Sequence, residues 1–360
     1  MLIIITICTL LTSVATILPL SQKTHWMIRG MDFPRIQIML FSLTLLSTII
    51  FLSNLENPLV WILASANCIC LIWQLWWILP YTPLWPKEVK TVNENNLKRQ
   101  LSIITSNVLA PNRNAKALIN LVNKYQPDIL ITLESDLWWQ EQLKVLEIEM
   151  PYFVKCPLDN LYGMHLYSKL RLHDQEISFL VEKDIPSIHV SIELRTGDKV
   201  RAHFVHPAPP SPTENTESSE RDAELIIVAR SVKKSEQPVI VTGDLNDVAW
   251  SSTTHLFRKI SGLLDPRIGR GMFNTYHTKY LFMRWPLDHL FHSKHFTLCS
   301  IRRLPTIGSD HFPLYTSLSF TPSNGANQES LSAKANDYER SKKIADKKGV
   351  TEQDVPEPNE

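Results

Sequence analysis

The chain has 360 residues, and its 37 Lys+Arg almost cancel its 36 Asp+Glu. That length bounds it to one or two domains, and the balance gives no global charge that would mark a nucleic-acid partner. Of its 5 cysteines, Cys8, Cys68 and Cys70 sit in an apolar amino-terminal region, and Cys156 and Cys299 are too far apart for a disulfide framework or a cysteine zinc site.

Three apolar runs open the chain, at residues 2–20, 36–52 and 59–79. Each is close to the roughly 17–25 residues that cross a hydrocarbon core as a helix. No basic stretch precedes the first run and no small-residue cleavage site follows it, so it reads as a retained span, not a cleaved signal. Helices buried in a soluble core are the alternative, and three such runs in succession oppose it. Residues 1–80 are therefore predicted to be a three-helix membrane anchor, with Trp76, Trp77 and Trp85 near an interfacial belt. The first loop carries Lys23, Arg29 and Arg35 against Asp32, and Lys87, Lys90, Lys98 and Arg99 follow the third run. With three spans, the first loop and everything after residue 79 share a side, which the positive-inside rule makes the cytoplasm. The expectation is an integral protein of a bacterial inner membrane, with the lipid bilayer as a partner.

Residues 81–100 read as a linker. From residue 101 short β-rich runs alternate with helical ones. "LSIITSNV" is a strand, "NAKALINLVNKY" a helix with apolar residues three and four apart, and "PDILITLES" a second strand. "MHLYSKL", "ISFLVE", "SIHVSIEL", "KVRAHFVH", "PVIVTGDL", "HLFHS" and "LYTSLSF" are further strand candidates, with a helix at "SERDAELIIVARSVKK". Nine or ten strands with few helices predict an α/β domain over residues 101–320, with two sheets face to face and helices outside. Residues 321–360 are polar and charge-mixed, and they read as a disordered tail that could hold a short exposed helix.

Polar residues recur at the predicted strand ends: Asn107, Glu134, His206, Asp244, Asn246, Asp288 and the pair Asp310–His311 in "IGSDHFPL". Each alone fits a turn or a cap, but strand ends are where a rigid scaffold can converge side chains on a site. Carboxylates and an amide are hard oxygen ligands suited to Mg²⁺ or Mn²⁺, and a histidine beside an acid can carry charge toward a phosphoryl oxygen. The set fits metal-assisted attack of water on a phosphate ester.

The ordered motifs "SNVL", "ITLESD", "HFVHP", "TGDLND", "PLDHLF" and "GSDHFPL" resemble the endonuclease/exonuclease/phosphatase superfamily with the deoxyribonuclease-I-like fold, over roughly residues 100 to 320. The resemblance implies a four-layer α/β sandwich with its active site at one edge of two central sheets. It implies that Glu134 is the principal metal ligand, with Asn107 and Asp310 in the same metal environment. Asp244 would position or deprotonate the water, with Asn246 orienting it and contacting phosphate, while His206 would touch a phosphate oxygen. His311 would bind or protonate the phosphoryl group, held by Asp288. One departure is Leu133, where many nucleases of the family carry Gln before the metal-binding Glu.

The segment "DPRIGRGMFNTYHTKYLFMRWP" interleaves Arg267, Arg270, Lys279 and Arg284 with Tyr276, His277 and Trp285. Such a loop could grip phosphate and stack on a base, or lie against lipid headgroups. Three readings stay open from sequence: a membrane-anchored metal-dependent phosphoesterase acting on a lipid or other phosphate ester, a membrane-bound nuclease, and a non-catalytic scaffold.

Overall fold

The computed structural model describes residues 1–92, 96–325 and 327–358. Residues 93–95 of the expected linker and 326, 359 and 360 of the expected tail lie outside them. Helices α1 (Leu2–Ile17), α3 (Arg35–Leu52) and α4 (Pro58–Ile78) pack together, with the short α2 (Trp26–Arg29) in the first loop. The spans Leu2–Leu20, Arg35–Leu52 and Pro58–Tyr81 are long and apolar enough to cross a membrane by length and composition. Their outer faces expose Ile4, Leu11, Phe51, Ile62 and Ile69, while Thr9, Thr12, Thr16, Ser42, Asn67 and Gln74 are buried between them. Asn67 Nδ2 donates to Thr9 Oγ1 at 2.8 Å and Gln74 Nε2 to Thr16 Oγ1 at 3.1 Å. Apolar outside with paired polar groups inside is the arrangement that hydrocarbon solvent favours.

The first loop docks on the domain that follows. Trp250 Nε1 donates to the Asp32 carbonyl at 2.8 Å, Arg29 Nη1 to Ser252 Oγ at 3.1 Å, and Thr24 Oγ1 to Glu217 at 2.9 Å. Asp32 forms a buried ion pair with Arg35. Burial raises its carboxyl to about 6 despite the pull of Arg35. Tyr81 packs edge-on against Trp250 and donates to the Ala249 carbonyl at 2.5 Å. The expected linker is docked as well. Arg258 Nη2 donates to both Glu88 oxygens at 2.6 and 2.8 Å, Val89 is fully buried, and Val92 N–H bonds the Leu298 carbonyl at 3.0 Å.

Beyond it come β1 (Gln100–Asn107), α5 (Ala115–Tyr125), β2 (Ile129–Leu133), α6 (Leu137–Leu143), β3 (Tyr152–Cys156) and β4 (Met164–Ser168). β5 (Leu172–Ser178), β6 (Ser187–Glu193), β7 (Lys199–Phe204), α7 (Ser219–Lys234), β8 (Val239–Asp244) and α8 (Ser252–Ser261) follow. β9 (Asp288–His292), β10 (Phe296–Arg303), β11 (Leu314–Phe320), α9 (Pro322–Gly325) and α10 (Ala335–Asp346) complete the order. One sheet runs β10-β11-β1-β2-β4-β3 and the other β5-β6-β7-β8-β9. Alternation along each strand explains the layers. Leu101, Ile103, Ile129, Ile131, Ala202, Phe204 and Ile240 fill the gap between the sheets. Ile104 and Leu130 face α5 and α6, and Val239 and Val241 face α7 and α8. The result is a helix–sheet–sheet–helix sandwich, as the motifs implied.

Three details differ from the sequence reading. Of "ISFLVE" only Ile177 and Ser178 are strand, at the end of β5, which begins further back at Leu172, and Phe179 is 47% exposed. Strands β3 and β10 and helices α6 and α8 had no counterpart among the expected elements. The tail, expected to be disordered or to hold a short exposed helix, carries α10 packed on α7 and α8, with Ala345 of that helix and Val355 beyond it buried in that outer layer.

Replacing Trp250 by Ala should destabilise the docked domain by about 3–5 kcal/mol, the range for removing a buried aromatic ring. Trp250→Phe, which keeps a ring but loses the N–H bond to Asp32, should cost about 1 kcal/mol. Thermal unfolding of the detergent-solubilised protein measures both; indistinguishable variants would show that the ring contributes little.

Candidate active site

Strands β1 and β8 belong to different sheets and meet where Thr105 Oγ1 and Thr242 Oγ1 share a 2.8 Å hydrogen bond. Side chains repeat every second residue, so Asn107 and Asp244 stand over the same gap two positions on. There Asn107 Nδ2 donates to Asp244 Oδ2 at 3.2 Å and to Glu134 Oε1 at 2.7 Å. β2 runs parallel to β1, with Leu133 opposite Asn107, and so delivers Glu134 just past the strand end. Glu134 takes φ +57°, a left-handed turn outside the strand. Its successor Ser135 bonds the Gly163 carbonyl at 2.9 Å, and a Cβ on Gly163 would lie 2.1 Å from the Ser135 oxygen. Gly243 has a similar reason: a Cβ there would lie 1.9 Å from the Val205 carbonyl oxygen. Both glycines are required by close backbone approach.

β9 pairs antiparallel with β8 and sets Asp288 opposite Asp244. His311 lies between them, with Nδ1 2.8 Å from Asp288 Oδ2 and Nε2 3.4 Å from Asp244 Oδ2. His206 Nε2 stands 4.0 Å from the same Asp244 oxygen. Asn246, at φ +49°, donates its backbone N–H to Asp244 Oδ1 at 2.9 Å and its amide to the Pro207 carbonyl at 3.0 Å. Asp310, half-buried beside His311, accepts from Ser309 Oγ at 3.3 Å and acts electrostatically on Glu134. The fold thus gathers all eight sequence-derived residues at one edge of the two sheets.

Their electrostatics divide into two halves. Burial raises the Glu134 carboxyl to about 7, with Asp310 and Asp244 adding to the effect, and its Oε2 is buried without a hydrogen-bond partner. An orphaned buried carboxylate oxygen beside Asn107 and Asp310 fits a hard divalent cation, which would supply the missing partner. In the other half, burial opposes charge on the His311 ring, but Asp244 and Asp288 outweigh it and hold its pKa at about 10. Burial would raise Asp244; His311, His206 and the bonds from Asn246 and Asn107 bring it below its ordinary value. Burial lowers His206 to about 4, which leaves that ring neutral. The ligand atoms of Asp244, Asp288 and His311 lie within 4.8 Å of one another. Both His311 nitrogens already face carboxylates, so this trio reads as an Asp–His–Asp charge chain, hydrogen-bonded at Asp288 and ion-paired at Asp244, and not as the metal cradle.

Sequence reasoning missed several supports. Arg221, buried on α7, donates to the Asn246 carbonyl at 2.7 Å and sits 3.4 Å from Asp247, fixing the turn after Asp244. Nothing in "SERDAEL" separates this arginine from a solvated one. Tyr276 faces the His311 ring at 4.9 Å, and Tyr162 faces His206 at 5.3 Å. Tyr276 lies in the basic and aromatic segment already singled out, which was its signal. Two members of that segment do not face the site. Arg267 pairs with Asp265 at 2.8 Å and donates to His289 Nδ1 at 2.7 Å, while Arg270 bonds Thr91 at 2.8 Å.

A family model described as the Endonuclease/Exonuclease/phosphatase family matches residues 104–311, more than half of the chain. Among solved structures, D. rerio TDP2 complexed with single strand DNA product is 18% identical, covering 61% of this chain and 99% of that one at a TM-score of 0.51. The human Nocturnin catalytic domain with bound sulfate anion is 19% identical, covering 63% of this chain and 96% of that one at a TM-score of 0.51. At such identities the two structures speak for the fold alone. No curated protein sequence matches the chain. The strand-end site, the four-layer fold and the family match agree: this chain belongs to the endonuclease/exonuclease/phosphatase family.

Proposed function

We propose that the chain is a membrane-anchored, divalent-metal-dependent phosphoesterase that hydrolyses a phosphate ester by attack of activated water. The observation that carries it is the Asp244 carboxylate, held between His311 and His206 on one side and linked through Asn107 to Glu134 on the other. Asp244 keeps acceptor capacity beyond its bonds to Asn246 and Asn107, and its lowered pKa keeps it ionised at neutral pH. It positions the water and takes its proton as the new O–P bond forms and the ester P–O bond breaks. Asn246 orients that water and contacts phosphate. His311, aligned by Asp288, donates toward the phosphoryl oxygen on which negative charge develops, and neutral His206 donates to a second oxygen. Glu134, Asn107 and Asp310 would hold Mg²⁺ or Mn²⁺. When bound, that ion supplies Lewis-acid polarisation of the phosphoryl group.

Membrane anchoring rests on the three apolar helices and their buried polar pairs. An odd number of spans puts the first loop and the domain on one side. The bonds that join Thr24, Arg29 and Asp32 with Glu217, Ser252 and Trp250 in turn support that placement. The basic residues flanking the spans favour the cytoplasmic side, in an inner membrane of bacterial type. A nucleic-acid phosphodiester is the second reading for the substrate, favoured by the single strand DNA product carried by the TDP2 neighbour.

Asp244→Asn should lower turnover of a generic phosphodiester by about 10²–10⁴-fold while the circular dichroism spectrum stays native. Full activity in that variant, or wild-type turnover without Mg²⁺ or Mn²⁺, would refute the proposal. Metal binding should also depend on pH in a defined direction. Glu134 titrates at about 7 instead of 4.5, so the metal-free fold holds a proton there below about pH 7 that the cation must displace. The raised value favours the metal-free fold at acid pH, and that contribution is lost as pH rises through 7. The rise in melting temperature on adding a fixed Mg²⁺ concentration should therefore be larger at about pH 8 than at about pH 6. Thermal shift measures this, and Glu134→Gln should abolish the difference.

A further inference from the structure

Residues 275–286 fold back on themselves between α8 and β9, with Tyr276 N–H on the Trp285 carbonyl and His277 N–H on the Met283 carbonyl, both at 3.0 Å. One arm of this hairpin lies along the Asp310–His311 segment. Thr278 N–H bonds the Asp310 carbonyl at 2.8 Å, Phe312 N–H bonds the Thr275 carbonyl at 2.8 Å, and the Tyr276 ring faces His311. The hairpin is therefore a wall of the site. Its other arm rests on the anchor: the Trp285 ring meets Phe33 edge-on at 5.5 Å, and the Gln37 side chain donates to the Phe282 carbonyl.

Between the arms the tip runs Tyr280, Leu281, Phe282, Met283, exposed by 57, 70, 86 and 51%. Four consecutive large apolar side chains left in water oppose solubility and mark a surface meant to be covered. Gln37 stands in the first turn of α3, and the next turn of that helix exposes Leu40 and Phe41. The tip therefore continues the outward apolar face of α3 at the level where that helix would enter hydrocarbon. Lys279, exposed at its near end, is a cation placed to match a lipid phosphate, while Arg284 at its far end is tied to the His277 and Thr278 carbonyls. Both the continuity and the charge select a bilayer as the covering surface, in preference to another protein.

We infer that this hairpin seats in the bilayer surface and holds the mouth of the site there, so that the substrate is the phosphate ester of a membrane-embedded amphiphile. The inference rests on the phosphoesterase reading for its chemistry. The full chain is reconstituted in nanodiscs of phosphatidylcholine and phosphatidylglycerol, with an environment-sensitive fluorescent amino acid at position 282. Quenching by lipids labelled along their acyl chains is the expected result, and emission that such lipids leave unquenched overturns the inference. Turnover is then compared for hexadecyl para-nitrophenyl phosphate carried in the discs and methyl para-nitrophenyl phosphate in water, which share one scissile bond. Wild type should favour the hexadecyl ester in kcat/KM by about tenfold or more, and the triple variant L281S/F282S/M283S should bring that ratio near one. Equal preference in wild type, or single-stranded DNA cleaved faster than the hexadecyl ester, overturns the substrate class and leaves the phosphoesterase reading standing if turnover is lost in Asp244→Asn. Absence of Asp244-dependent turnover on every probe overturns both.

Discussion

The hydroxyl bond between Thr105 and Thr242 ties two strands from opposite sheets at the edge where the chemistry gathers. It lies at the end of an otherwise apolar seam, where dispersion holds the layers together but does little to set how one strand slides along another. A polar contact with directional preference fixes that offset. Once it is fixed, the neighbours follow from strand pairing. β2 is parallel to β1 and β9 antiparallel to β8, so Glu134 and Asp288 arrive on either side of the Asn107–Asp244 bond. A slip of one residue in β1 or β8 would turn Asn107 or Asp244 toward the outer helices.

The stretch from Asp244 to Ser252 serves two structures at once. Its first residues form the site, with Asn246 held by Arg221, and its last form the seat of the first loop. Asp247 links the two ends: its carboxylate accepts from Ser251 and from Thr254 at 3.1 Å, and its carbonyl accepts from His289 at 2.9 Å. Ser251 in turn caps α8, and Trp250 carries the contact to Asp32. The site and the apolar helical segment are thus joined by a few covalent bonds and a shared hydrogen-bond network, not by a loose tether.

What the sequence made legible, and what it hid, has a common physical cause. The site was readable because polar residues at the ends of buried strands interrupt apolar runs, as in "VIVTGDLN". The three strands missed or misplaced, β3, β5 and β10, are all sheet edges. An edge strand has one side in solvent and few constraints on its pattern; β5 reads "LHDQEIS" and is bulged between His173 and Glu176. The tail hid its packing because only scattered residues, such as Ala345 and Val355, touch the core. The buried arginines were equally illegible: Arg221 and Arg267 pair with their sequence neighbours Asp222 and Asp265, and such short-range pairs look the same whether the fold buries them or leaves them in water.

The first loop has a history as well as a place. Trp250 follows Asp32 by 218 residues, and Ser252 follows Arg29 by 223. At about 5–20 residues per second, synthesis leaves the loop without those partners for about ten to forty seconds. On the proposed topology, membrane insertion falls in that interval, when Arg29 still lacks Ser252 and the loop's Lys23, Arg29 and Arg35 outnumber its one acid, Asp32, so that the loop can hold one side. Later the domain closes over two of them and their charge disappears from the surface. On that topology the finished protein conceals the signal that oriented it, because the groups that would have chosen the side of the membrane have become part of the joint.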